Sequence, residues 1–119
     1  MFDIEEQRRT WAGDRPLFSP DSTRIAYRDW SPSQETVVVD GIAGTAYAAV
    51  HSICFSPDSR RFAYWAQVPN GWCIVVDGHE VKTFDSPMPD SKLVFDGPNG
   101  LHGLGVRRSE VFYFDIVIR

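Results

Sequence analysis

Four aspartates recur at matched places in this sequence, Asp21 with Asp58 and Asp40 with Asp77, each pair 37 residues apart. Repeated carboxylates suit metal ligation or acid–base work, because oxygens held close together compete for one cation or one proton. Here each lies in a turn motif, Ser-Pro-Asp-Ser or Asp-Gly, whose backbone calls for that residue. Pro fixes φ at the second turn position, Asp tolerates the third, and Asp-Gly supplies the positive φ of a tight hairpin. Pro20, Asp21, Pro57, Asp58, Asp40, Gly41, Asp77 and Gly78 are therefore read as turn formers. His51, His79 and His102 lack the spacing of zinc ligands, so no metal is expected. Cys54 and Cys73 sit among Ile53, Phe55, Trp72 and Ile74 and read as reduced core thiols. Gly103-Leu104-Gly105 lacks the third glycine of a dinucleotide site, and no Gly-x-Ser-x-Gly elbow occurs. No cofactor and no catalytic residue is expected. Among the tryptophans, Trp65 and Trp72 flank a hairpin and read as core, Trp11 lies near the start, and Trp30, followed by Ser31-Pro32-Ser33, reads as an exposed stacking surface.

The elements that position these residues are short strands. Leu17-Phe18-Ser19-Pro20-Asp21-Ser22 returns as Cys54-Phe55-Ser56-Pro57-Asp58-Ser59, and Val37-Val38-Val39-Asp40-Gly41 as Ile74-Val75-Val76-Asp77-Gly78, both with the offset of 37. Two motifs sharing one stride mark a repeat. A third copy, Leu93-Val94-Phe95-Asp96-Gly97-Pro98, follows Phe55 at an offset of 40, which places an insertion in Ser86 to Asp90. Strands are expected at 24–29, 36–40, 61–66, 72–77 and 111–119, which are rich in β-branched and aromatic residues. A single helical turn at 5–9 is the one helical alternative.

The segments 17–27 and 54–64, with the Asp-Gly strands 37–41 and 74–78, resemble the TolB-like, WD-like β-propeller repeat; the third copy departs from its turn pattern. The resemblance implies an all-β fold of four-stranded antiparallel blades around a channel, and by itself implies no reaction. It divides the single unit 1–119 into blades at about 15–49, 52–85 and 92–119. Within a blade, labelled a to d outward, strand d falls at 45–49 and 82–85. The third blade has no residues left for strand d, while 7–11, one stride before Tyr47, reads as a strand d without a blade. Three blades are too few to close, since propellers have about four to eight. The expectation is a homodimer forming a six-bladed ring, with 7–11 of one chain completing the third blade of the other. A fragment of a longer propeller is the alternative.

A net charge of −4 and a pI near 5.2 give no basic field for nucleic acid. No apolar run suits a membrane span, and Met1 to Glu6 lacks the pattern of a signal peptide, so a cytoplasmic location is expected. The function expected is a non-catalytic scaffold binding a protein, peptide or small ligand through irregular loops at the channel face, with Asp14, Arg15, His51 and Asp90 as contacting residues. The alternative is a hydrolase- or lyase-type propeller enzyme, or a peptidase accessory domain.

Overall fold

The computed structural model describes residue 2 and residues 16–119, and every regular element among them is a strand. The expected strand 7–11, the turn at 5–9, and Trp11, Asp14 and Arg15 lie outside the described residues.

The strands form three four-stranded antiparallel sheets. The first pairs β1 (Leu17–Phe18), β2 (Ile25–Trp30), β3 (Glu35–Val39) and β4 (Ile42–Ala43) in chain order. The second repeats that order with β5 (Val50–Phe55), β6 (Phe62–Val68), β7 (Gly71–Val76) and β8 (His79–Phe84). In the third, β10 (Val94–Gly97), β11 (Gly100–Arg107) and β12 (Glu110–Val117) follow one another, and β9 (Ser86–Pro87) pairs with β11 beyond β10. Consecutive strands pair because two-residue Asp-Gly turns and the tight Ser-Pro-Asp-Ser connections return the chain at once. Asp40 and Gly41 have φ of 52° and 83°, and Asp77 and Gly78 have 51° and 85°.

Three expectations need correction. The outer strand of the first sheet is not continuous over 45–49: the Asp40-Gly41 hairpin returns the chain into pairing already at Ile42, and only Tyr47 rejoins, bridging Glu35. His51, expected in an irregular channel-face loop, lies instead in a strand, because Val50, buried between sheets, starts β5, and Ser52 at φ 62° forms a bulge inside it. The insertion does not precede the third inner strand but splits it: Ser86–Pro87 pairs with β11 opposite Val106 and Gly105, and Val94 resumes opposite His102.

Strand alternation gives the second sheet two apolar faces, and both are covered. Tyr64, Ala66, Cys73 and Val75 pack with Ala26, Val37 and Val39 of the first sheet. Ala63, Trp65, Ile74 and Val76 pack with Phe95, Leu101 and Phe114 of the third. Burying each large side chain contributes about 1.5–3 kcal/mol, so these two seams hold the sheets in a row. Small residues make room at the second seam. Gly103 and Gly105 lie opposite Phe114 and Phe112 on β12, and the ring of Phe84 fills the space beside Gly105.

Candidate functional site

At one end of the sheets lie the repeated turns. Ser19 Oγ, Thr23 Oγ1 and the Thr23 amide donate to Asp21 Oδ1, and Ser56 Oγ and the Arg60 amide donate to Asp58 Oδ1. These donors hold both carboxyls below the usual carboxylate range, Asp21 chiefly through Thr23 and Asp58 chiefly through Ser56. Arg24 Nε donates to Asp40 Oδ2 at 2.8 Å, and the Ile25 amide to Asp40 Oδ1, which lowers that pKa as well. Arg61 and the Phe62 amide repeat the pattern on Asp77. Each arginine also reaches the next sheet, Arg24 to the Ser59 and Arg60 carbonyls and Arg61 to Asn99 Oδ1. All the repeated aspartates are thus engaged with their own turns, and the two arginines tie successive sheets together.

The opposite end carries the dissimilar hairpins. His51 lies on β5, its ring edge against Trp72 at 5.4 Å. Burial and the charge of Arg28 lower its pKa, which favours neutral imidazole at pH 7. Asp90 lies in the insertion at φ 63°, and that insertion is anchored beside His51, because the Leu93 amide donates to Ser52 Oγ at 3.1 Å. The structure therefore brings the Asp90 segment and the His51 strand to one place, while Asp14 and Arg15 lie outside the described residues.

Two constellations were not visible from sequence spacing. A groove of about 690 Å³ opens between the first and second sheets, lined by Gln34, Ala46, Ala48, Gln67, Val68 and Glu80 among others. Across its floor Tyr47 Oη donates to Glu80 Oε2 at 2.8 Å; burial first, and Glu80 second, push the Tyr47 phenol far above its ordinary range, so it stays a donor. A smaller cavity shares Gln34 and adds Asp29 and Trp30, the latter 44% exposed. The second constellation is on the outward face of the third sheet. Asp96, His102 and Asp115 place one ligand atom each within 4.8 Å of one another. His102 Nδ1 is 2.6 Å from Asp96 Oδ1, and Tyr113 stacks on His102 while donating to Asp115 Oδ1. The register pairing of His102 with Asp115 across β11 and β12 was the signal that spacing alone concealed.

Burial pushes the Cys54 thiol up to about 12 and the Cys73 thiol up to about 11, which keeps both protonated and poor nucleophiles. No helix among the described residues is long and apolar enough to cross a membrane. No family model matches the chain, and no curated protein matches it. What the described residues define is an all-β arrangement of three four-stranded antiparallel sheets, with a groove of mixed apolar and polar lining between the first two.

Proposed function

We propose that the chain is half of a β-propeller of the TolB-like, WD-like type, three blades that join a second copy in a six-bladed ring and serve as a non-catalytic binding scaffold. One observation carries the reading. Positions buried on both faces of the second sheet are exposed where the third sheet has no neighbour: Tyr113 is 62% exposed where its counterpart Ile74 is 0%, and Leu104 is half-buried where Trp65 is 1%. On the first sheet, Phe18 is 62% exposed, whereas its counterpart Phe55 is packed at the first seam and lies under the Arg24 guanidinium. Such apolar faces call for a cover, and the two seams inside the chain supply the template for it.

In the ring, Phe18 and Ile25 of one copy lie against Leu104 and Tyr113 of the other. His102, Asp96 and Asp115 stand where the second sheet has Ala63, Ser56 and Val76, so the closing seam is more polar than the internal ones. Residues 7–11 then pair with the free edge of β12, and Asp14, Arg15, His51 and Asp90 gather at the channel end. Light scattering tests the reading: the wild-type chain runs at twice its mass of 13.5 kDa, and Tyr113→Arg and Phe18→Arg each run at 13.5 kDa with unchanged far-ultraviolet circular dichroism. A folded wild-type monomer at micromolar concentration overturns it.

A further inference from the structure

We propose that the groove between the first two sheets docks an extended peptide segment carrying a basic side chain, bound by strand addition along residues 46–48. The groove lies within one chain, so this site is independent of ring closure.

The backbone gives the first reason. Tyr47 turns both its amide and its carbonyl toward Glu35, with N–O distances of 2.8 and 2.7 Å. Each trans peptide turns its N–H and its C=O to opposite sides, so with the Tyr47 amide and carbonyl on Glu35 the Ala46 carbonyl and the Ala48 amide point away from β3, at the outer edge of the sheet. Both residues are exposed and both line the groove. Their methyl side chains leave room for an incoming strand, and strand addition at such an edge supplies affinity through main-chain hydrogen bonds.

Charge gives the second. Glu80 brings the one carboxyl group among the described lining residues, held in place by Tyr47 Oη. Lys82, two residues on, faces the other side of the sheet, because β8 slips register between Glu80 and Lys82. The adjoining cavity adds the exposed ring of Trp30, which suits a second cation by cation–π contact, whereas Asp29, paired with Thr36, faces the other side of the first sheet. Gln34 and Gln67 offer amides to the peptide backbone between them. A partner with lysine or arginine at alternate positions complements this lining.

The test uses fluorescein-labelled, C-terminally amidated Thr-Lys-Thr-Lys-Thr, read by anisotropy at low salt. The wild-type chain and the Tyr113→Arg variant bind it alike. Methylating alternate backbone nitrogens of the peptide weakens binding at least about tenfold, as does Glu80→Gln, which keeps an acceptor for Tyr47. Ala48→Pro, which removes an outward-pointing amide, abolishes binding without lowering the melting temperature. The proposal is overturned if no binding is seen at about 1 mM peptide, if the methylated peptide or the Thr-Glu-Thr-Glu-Thr analogue binds equally well, or if Glu80→Gln leaves affinity unchanged. Binding of cellotetraose in place of the peptide would make the groove a sugar site and equally overturn it.

Discussion

Replacing Gly105 by alanine tests how the third sheet packs. A Cβ at that position would stand 2.6 Å from Phe84 Cγ and 2.7 and 2.9 Å from its two Cδ atoms, far inside the separation of about 3.5–4.0 Å that carbon atoms prefer. Phe84 has little freedom to withdraw. It is 3% exposed, stacked on Phe114 at 5.1 Å, edge-on to Trp65 at 6.0 Å, and capped by the Arg107 guanidinium at 4.5 Å. Overpacking of this kind costs about 1–3 kcal/mol. In a chain of this size each kcal/mol lowers the melting temperature by roughly 4 °C, so Gly105→Ala is expected to lose about 4–12 °C. Circular dichroism melts at one fixed protein concentration measure it, since association makes the midpoint concentration-dependent. Adding Phe84→Leu returns space beside the new methyl, so the double variant should be more stable than the two single losses sum to, by about 0.5 kcal/mol or more. A loss below about 0.5 kcal/mol for Gly105→Ala, or strict additivity with Phe84→Leu, would refute the packing described.

Asp77→Asn keeps a residue that tolerates the left-handed turn and an acceptor for the Phe62 amide, and loses only the ion pair with half-exposed Arg61; it should cost about 0.5–1 kcal/mol in urea unfolding. Asp77→Ala, which also strains the turn and orphans the amide, should cost about 1–3 kcal/mol, and equal costs for both would mean the turn geometry contributes nothing. The carboxyls of Asp21, Asp40 and Asp58 titrate lower folded than unfolded, so their stabilisation is fully present above about pH 4 and is lost as the pH falls through their depressed folded values. Urea midpoints should therefore drop between pH 6 and pH 3, and the Asp21→Asn, Asp58→Asn double variant should flatten that drop. With thiols pushed up to about 12 and about 11, Cys54 and Cys73 should label slowly with a disulfide reagent at pH 8 and rapidly once unfolded.

The repeated stride was enough to locate β2 with β6 and β3 with β7, because those strands carry the side chains that fill the seams. Pairing that depends on backbone alone was harder to read. Ile42–Ala43 is exposed and has no apolar alternation, so nothing in its residue types distinguished it from the turn before it. The bulge at Ser52 depends on one left-handed serine, and the split of the third inner strand on an insertion that carries left-handed Asp90; residue types alone did not announce where either falls. Trp30 was legible as exposed from the polar turn that follows it. The groove was not, since Ala48, Gln67 and Glu80 come from three separate elements that only the first seam brings together. Gly103-Leu104-Gly105 was legible as unfit for a dinucleotide; that two phenylalanine rings require those glycines emerged only from the stacking of the sheets.

The most direct measurement is a crystal structure of the chain in its solution assembly. Ring closure predicts six sheets about one two-fold axis, with Phe18 and Ile25 of each copy against Leu104 and Tyr113 of the other. A lattice in which the outward face of the third sheet meets solvent, or meets the same face of another copy, would contradict it.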